Sequence, residues 1–298
     1  IADQYPRSTA RTQAEARSAI ENLFEFFPTL TDLTIRNRQR WIKSETRAAK
    51  TVTKALSFVR SYYSWLRENQ HVGASEINPF HTDDIKMPKK LAAKQSYLPF
   101  TVSDVVRLRK AAVGLADDKL VTFIDIAQWT GMRLAEIAQI SSESVVVVDG
   151  IECLKVKADA KTAAGSNRLI PIAPTLASRV PLKELPTPPA PKVNKRTSKA
   201  VPYEGQEVGK RFGRMKTSMG YGRQHVFHSI RKTAATVFEQ AGVAEGITAD
   251  IIGHEKQTMT YGLYSGGTSV GQRKEAVDAF EALMLQREST SCNDGLHG

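Results

Sequence analysis

The sequence predicts a mainly α-helical protein of two domains, with a small antiparallel β-sheet in the second domain. Three observations lead to this prediction. Apolar residues recur at helical spacing through most of the 298 residues. Short apolar runs of the kind that form strands occur together between residues 145 and 172. A stretch without periodicity, rich in lysine and interrupted by proline, separates two helical regions at residues 79–98.

Composition and charge limit the classes of function. Hydrophobic residues make up 41% of the chain and charged residues 24%, as in a globular protein with a buried core. The 42 basic and 31 acidic residues give a net charge of +11, which favours a polyanionic partner, nucleic acid before an anionic membrane. The two cysteines follow no disulfide or zinc pattern. No apolar run of 18 residues and no signal peptide is visible, so we expect a cytoplasmic protein without a membrane span.

Three helical patterns define the first domain, which we place at residues 1–85. They cover residues 8–27, 32–48 and 51–69, and the third has the clearest apolar stripe. Basic side chains on these helices have few acidic neighbours. They form either a solvated helix face or a face that contacts a DNA backbone, and the basic chain as a whole favours DNA. With two lysines of the linker at residues 86–98, the predicted contacts are Arg36, Arg38, Arg40, Lys43, Arg47, Lys50, Lys54, Lys89 and Lys90.

The second domain is predicted at residues 99–298. Thr101 and Asp104 have the spacing of a helix capping box, and the helix that they begin should end near Gly114. Asp149-Gly150 marks a tight turn between two strands. The predicted strands are residues 145–148, 151–156 and 168–172. The other predicted helices are residues 118–129, 132–140, 204–217, 228–241, 246–252 and about 270–286.

Five polar residues stand out in this domain because together they suit attack on a phosphodiester. They are Arg133, His228, Arg231, His254 and Tyr264. A phenol that attacks phosphorus creates extra negative charge on the non-bridging oxygens. Arginine stabilises that charge with paired donors on a guanidinium that stays protonated. Two arginines and two histidines could therefore serve one phosphate without a metal ion, and we expect no cofactor.

Each of these residues alone has an ordinary structural interpretation. His228 and Arg231 could be a capping histidine and a surface arginine, and Gly131 could simply end a helix. Glu136, three residues after Arg133, could form a plain helix salt bridge or hold the arginine fork, and both uses are compatible. Either Tyr261 or Tyr264 could belong to the core.

The order of the motifs resembles the tyrosine recombinase family, the phage-integrase-like enzymes. The matching text is TGMRLAEI at 130–137, HSIR at 228–231, IGH at 252–254 and MTYGLYS at 259–265. Residues 46–80, which end in NPF, resemble the helical core-binding domain of the family, and residues 98–112 resemble the start of its catalytic domain. The resemblance implies a two-domain, C-shaped clamp with a mixed α/β catalytic domain of the tyrosine recombinase type.

The resemblance also implies residue roles. Arg133 and Arg231 would hold the scissile phosphate, His228 would handle protons, and His254 would donate a hydrogen bond to a phosphate oxygen. Tyr264 would be the nucleophile that forms a 3′-phosphotyrosine, because it lies ten residues after His254, close to the family's spacing.

Two further residues enter through the family pattern. The family places a general-acid lysine on a hairpin, where Lys161 matches best and Lys157 is the alternative. Lys232 stands where a histidine is common in the family, and we do not expect it to be catalytic.

The implied activity is site-specific integration or excision of a mobile element such as a prophage or genomic island. The implied partners are double-stranded DNA attachment sites, three further copies of the chain in a tetramer on DNA, and accessory DNA-bending or directionality proteins. In solution we expect a monomer. The helix at 270–286 would be either part of the local core or a segment that docks on a neighbouring subunit. The alternatives are a DNA-binding protein without cleavage and a type IB topoisomerase-like enzyme.

Overall fold

The structure is a computed structural model that describes residues 10–73, 75–81, 97–156, 167–188, 204–254 and 267–293. The chain divides into two compact units, Ile1–Gln95 and Ser96–Gly298, each with its own hydrophobic core. The prediction of a mainly α-helical chain with a small antiparallel sheet is confirmed. None of the helices described is long and apolar enough to cross a membrane.

The first unit contains three helices, α1 (Ala10–Phe26), α2 (Ile35–Ser44) and α3 (Ala49–Glu68), and a 3₁₀ turn at Leu30–Asp32. The apolar stripe of α3 is buried, as its spacing predicted, and α3 packs against α1. Apolar side chains from all three helices form one core with Phe80. Phe80 is therefore part of this unit and lies within the domain predicted at residues 1–85, although the stretch without periodicity begins at residue 79.

The second predicted helix is shorter than its pattern indicated. Thr34 caps α2 by accepting a hydrogen bond from the backbone N–H of Asn37, so the helix begins at Ile35 and not at residue 32. Among the apolar residues of the helical pattern at residues 32–48, Ile35 is exposed. The other apolar residues of that pattern, Leu33, Trp41 and Ile42, are buried.

The second unit is built around the helix α5 (Asp118–Thr130), which is buried along its last eight residues. It packs against five other helices, α4 (Val102–Gly114), α6 (Leu134–Ile137), α7 (Pro174–Arg179), α8 (Glu204–Ser218) and α9 (His228–Gln240). The predicted capping box is present in α4: Asp104 donates its backbone N–H to the Thr101 hydroxyl, and its carboxylate accepts the Thr101 N–H.

The small sheet has three antiparallel strands in the order β1 (Val145–Val148), β2 (Ile151–Lys155) and β3 (Leu169–Pro171). The turn between β1 and β2 has positive φ angles at Asp149 and Gly150, 51° and 75°. Two left-handed residues in succession give the turn type that matches the twist of a hairpin. The chain continues after α9 with α10 (Glu245–Ile252) and α11 (Val270–Asn293).

The last helix is longer than predicted, and it has one of the two surroundings that the sequence left open. It continues to Asn293 instead of ending near residue 286. In this additional part of the helix, the hydroxyls of Ser289 and Thr290 donate hydrogen bonds to the Gln286 carbonyl. Phe280 stacks on Phe238 of α9, with ring centroids 4.1 Å apart. The structure thus places α11 in the core of its own unit, since burying its apolar side chains there fills the space beside α9.

Candidate active site

Arg133 is directed into the site by the way in which α5 ends. Gly131 terminates α5 in the left-handed conformation, with φ 63°, and Arg133 is the N-cap of the one-turn helix α6. The sequence predicted a longer helix at 132–140, but α6 ends after Ile137. Glu136 accepts two bonds from Arg133, one from its backbone N–H and one from Nη1, each 2.8 Å. Glu136 therefore holds the arginine, as one of the two interpretations proposed.

Arg231 lies on the first turn of α9 and is almost fully buried, at 2% exposure. Its Nη1 donates to the carbonyls of Gly131 (2.8 Å) and Ile252 (2.6 Å). Its Nε is buried and has no acceptor among the described residues. A buried donor without a partner costs about 1–3 kcal/mol. An anion at this place would relieve that cost.

The carbonyl of Gly253 is the point at which the separate motifs meet. Arg133 Nη2 donates to it over 2.9 Å, and Arg231 Nη2 approaches it at 3.5 Å. Gly253 ends α10 in the left-handed conformation, with φ 80°, and His254 follows it directly. The structure therefore brings Arg133, Arg231 and His254 together, although Arg133 and His254 are far apart in sequence.

Both histidines of the site are open to solvent on one part and buried on another, and both have lowered pKa values. Desolvation, followed by the charges of Arg231 and Arg133, lowers the pKa of His254 to about 4. Partial burial, followed by the same two arginines, also lowers the pKa of His228 from its ordinary value. Both imidazoles are consequently neutral at pH 7. A neutral imidazole can donate one hydrogen bond and accept another.

Arg168 is a site residue that the sequence analysis did not recognise. It lies one residue before β3, and its guanidinium donates to both oxygens of Glu136, at 2.7 and 3.2 Å. Its Nε donates to the Ile251 carbonyl over 2.9 Å. The available signal was an arginine at the start of a predicted strand that is otherwise apolar, since a charge in such a position needs a buried partner.

The cluster carries an excess of positive charge. Three guanidiniums, those of Arg133, Arg168 and Arg231, face the single carboxylate of Glu136, which leaves two positive charges uncompensated. Burial would raise the pKa of Glu136, but the hydrogen bonds from Arg168 and then Arg133 hold it at about 2. Burial and the charge of Arg133 lower the pKa of Arg231 to about 9, which keeps the guanidinium protonated at pH 7.

Several predicted residues lie outside the described residues. They are Tyr264 and its alternative Tyr261, Lys161 and its alternative Lys157, and the linker lysines Lys89 and Lys90.

Thr268, which follows the segment that contains Tyr264, is held by several hydrogen bonds. The Asp250 carboxylate accepts the N–H and the hydroxyl of Thr268, each over 2.9 Å, and Arg273 donates to the Thr268 carbonyl and hydroxyl.

The predicted DNA contacts of the first unit have different environments. Arg36, Arg40, Lys43 and Lys50 are exposed. Lys54 is exposed and pairs with Glu15, and Arg47 is half-buried and pairs with Glu45. Arg38 corrects the prediction: it is buried at 2% exposure and donates to the Pro79 carbonyl over 2.6 Å. Its guanidinium holds residues 79–81 on α2 and is not accessible to a phosphate.

Lys232, at the position where histidine is common in the resembling family, donates to the Tyr97 carbonyl over 2.5 Å. In the described part of the chain, no three His, Cys, Asp or Glu side chains are grouped so that they could hold a metal ion. The expectation that no cofactor is needed stays a prediction.

Comparisons with known proteins agree with the fold and the motifs. The sequence profile of the Phage integrase family matches residues 100–267, more than half of the chain. Among solved structures, the Tn1549 transposon integrase in complex with a circular intermediate DNA is 17% identical, with a TM-score of 0.63 over 92% of this chain and 95% of that one. A lambda integrase tetramer bound to a Holliday junction is 16% identical, with a TM-score of 0.59 over 85% of this chain and 74% of that one.

A lambda integrase dimer bound to a COC′ core site is 14% identical, with a TM-score of 0.60 over 88% of this chain and 93% of that one. Identities this low show a shared fold. The comparison with curated protein sequences gives no match. The family match extends from Phe100 to Gly267 and includes every described residue of the cluster. The chain therefore belongs to the phage integrase family, the tyrosine recombinases, which are enzymes that break and rejoin DNA strands with a tyrosine nucleophile.

Proposed function

We propose that this protein is a site-specific recombinase that integrates or excises a mobile element, cleaving DNA through a 3′-phosphotyrosine at Tyr264 without a metal ion. The observation that carries the proposal is the convergence of Arg133, Arg231 and His254 at the Gly253 carbonyl. Two surplus positive charges and an unpartnered buried Nε–H make this cluster a receptor for an anion.

The charge of the cluster suits the transition state better than the ground state. A phosphodiester carries one negative charge, and the pentacoordinate species formed by attack carries about two. Two surplus positive charges held in a partly buried site stabilise the second charge more than water does. Binding that strengthens as the reaction proceeds lowers the barrier, whereas equal binding of both states does not.

Cleavage is a transesterification at the scissile phosphate. The Tyr264 oxygen forms a bond to phosphorus, and the bond from phosphorus to the 5′ oxygen breaks. The phenolic proton passes to a base, a role that the low pKa of His228 permits because its imidazole is neutral at pH 7. Lys161 supplies the proton that the leaving 5′ oxygen takes up. Strand rejoining is the reverse step with a new 5′ hydroxyl.

The roles of His254 and the first unit follow from their exposure. His254 is exposed beside both arginines, where its neutral ring can donate a hydrogen bond to a non-bridging phosphate oxygen. Five exposed basic residues of the first unit and the half-buried Arg47, with Lys89 and Lys90, are proposed to contact the DNA backbone. They are Arg36, Arg40, Lys43, Arg47, Lys50 and Lys54.

The partners that we propose are double-stranded DNA attachment sites and, on DNA, three further copies of the chain. The structural neighbours support this, since they include integrases bound to DNA and a tetramer on a Holliday junction. Accessory DNA-bending or directionality proteins remain part of the proposal. The site of action would be the cytoplasm of a bacterial or phage-infected cell.

The experiment that tests the proposal is covalent trapping on DNA. The probe is a nicked suicide duplex that carries the sequence flanking the gene, and the product is resolved by denaturing electrophoresis. The wild-type protein should form a protein–DNA adduct, and EDTA should not reduce its yield. Tyr264→Phe should abolish the adduct while DNA binding, measured by fluorescence anisotropy, stays within about twofold of wild type, because one hydroxyl contributes little to backbone binding.

Tyr261→Phe is the matched control, since it removes the same hydroxyl three residues earlier. It should still form the adduct. If Tyr261→Phe loses the adduct and Tyr264→Phe keeps it, the assignment of the nucleophile is wrong. If EDTA suppresses cleavage by the wild-type protein, the metal-free mechanism is wrong.

A further inference from the structure

Arg168 joins three segments of the second unit. Its backbone precedes β3, its Nη atoms bind the Glu136 carboxylate of α6, and its Nε binds the Ile251 carbonyl near the end of α10. The side chain is buried. A buried guanidinium is costly unless its donors are satisfied, and these three bonds satisfy all three of its nitrogen atoms.

The carboxylate of Glu136 is shared between two arginines. One oxygen accepts from Arg133 Nη1 and Arg168 Nη1, and the other accepts from the Arg133 backbone N–H and Arg168 Nη2. The orientation of the carboxylate therefore depends on Arg168 on one side and determines the orientation of Arg133 on the other.

The second contact of Arg168 is with the end of α10. A Cβ atom placed on Gly253 would lie 2.8 Å from Arg168 Nη1 and 2.9 Å from Cζ, so the guanidinium packs directly on this glycine. Its Nε holds the Ile251 carbonyl, two residues before Gly253 and three before His254. Arg168 thus supports the backbone whose Gly253 carbonyl orients Arg133 and which presents His254.

We propose that Arg168 is a positioning residue for strand cleavage, which holds Glu136 and the end of α10 so that Arg133 and His254 face the scissile phosphate together. This inference rests on the proposed function. Arg168 does not touch the phosphate, because its guanidinium is buried against Glu136, Ile251 and Gly253. It acts through Glu136 and through the α10 terminus.

The test begins with Arg168→Lys, which keeps the charge and removes the planar fork. A lysine ammonium can bind one oxygen of Glu136 but cannot also span the second oxygen and the Ile251 carbonyl. The rate of adduct formation in a single turnover, on the suicide duplex described above at saturating concentration, should fall by about 10- to 100-fold, as expected when a catalytic group shifts by about 1 Å. The affinity for the intact duplex should change by less than about threefold, since the phosphate contacts remain.

Arg109→Lys is the matched control. Arg109 also donates to a buried carboxylate, through Nε to Asp125 Oδ1 over 2.7 Å, but it does not contact the cluster. Its variant should lose thermal stability to an extent comparable with Arg168→Lys and cleave at the wild-type rate once the active fraction is counted by DNA-binding stoichiometry. Equal cleavage rates of the two variants would overturn the positioning role.

A double-mutant cycle identifies the route of the effect. If Arg168 acts through Glu136, the losses of cleavage rate in Arg168→Lys and Glu136→Gln are less than multiplicative when combined. Multiplicative losses would refute that route. If the wild-type protein itself forms no adduct, the proposed function fails; if it forms the adduct and Arg168→Lys does so equally fast, only the positioning role fails.

Discussion

Replacement of Gly253 by alanine tests the packing at the centre of the site. Gly253 has a φ of 80°, a conformation that costs an L-residue about 1–2 kcal/mol. The added Cβ would also lie 2.8–3.1 Å from three atoms of the Arg168 guanidinium. A flexible side chain could move away, but this guanidinium is bound to Glu136 and Ile251, so its movement breaks hydrogen bonds.

Gly242 is the comparison that separates the two contributions to the loss of stability. Its φ is also positive, at 75°, but a Cβ atom added to it would have no neighbouring atom within 4 Å. Gly242→Ala should cost about 1–2 kcal/mol from backbone strain alone. Gly253→Ala should cost the same amount plus about 1–3 kcal/mol for overpacking. In a unit of this size, each kcal/mol corresponds to about 2–4 °C in the unfolding midpoint.

The assay combines thermal denaturation with single-turnover cleavage of the suicide duplex. Gly253→Ala should unfold at a lower temperature than Gly242→Ala and should cleave more slowly at a temperature where both are folded. Gly242→Ala should cleave at the wild-type rate. Identical unfolding midpoints and identical cleavage rates for the two variants would refute the close packing of Arg168 on Gly253.

Three further predictions concern protonation and the first unit. In the protein without DNA, the pKa of His254 is lowered to about 4, and the negative charge of a bound phosphate should raise it. DNA binding should therefore take up protons. The gain in DNA affinity between pH 7.5 and 5.5, measured by anisotropy, should be smaller in His254→Gln than in the wild-type protein. Glu136 has a pKa of about 2 instead of 4.5, so its contribution to stability is complete above about pH 4.5 and is lost as the pH falls towards 2. In urea titrations, the deficit of Glu136→Gln should shrink over that range; a constant deficit would contradict it. Arg38→Ala should destabilise the first unit by about 1.5–3 kcal/mol in chemical denaturation, because it leaves the Pro79 carbonyl without its charged donor. Arg36→Ala should leave stability unchanged and reduce the slope of log K against log salt by about 0.9; the reverse pattern would show that the two roles are exchanged.

Local signals predicted much of the fold because they act over a few residues. The hydroxyl of Thr101 and the carboxylate of Asp104 satisfy each other's backbone donors at the start of α4, and this needs no tertiary contact. Asp149-Gly150 similarly determines its hairpin turn. The boundaries of α6 and α11 were predicted less well. The Glu136 carboxylate accepts the backbone N–H of Arg133 at the start of α6. Near the end of α11, Glu288 accepts a hydrogen bond over 2.7 Å from Arg179, which belongs to α7.

Burial separated residues that looked alike in sequence. One basic stretch has arginine at three alternate positions, Arg36, Arg38 and Arg40. The local sequence gave no reason to assign them different environments. On a helix, however, successive alternate residues point in different directions. Only the packing of residues 79–81 against α2 reveals that Arg38 is enclosed while its two neighbours are exposed.

The sequence by itself determined the family and the identity of the principal catalytic candidates. Arg133, His228, Arg231 and His254 occur in short motifs whose order is characteristic, so residue type and spacing were sufficient to select them. Only the tertiary structure decided how they are held. The contacts of Arg168 with Glu136, Ile251 and Gly253 join residues 32 to 85 positions away along the chain. No local pattern encodes such contacts, because the partners become neighbours only when β3, α6 and α10 pack together.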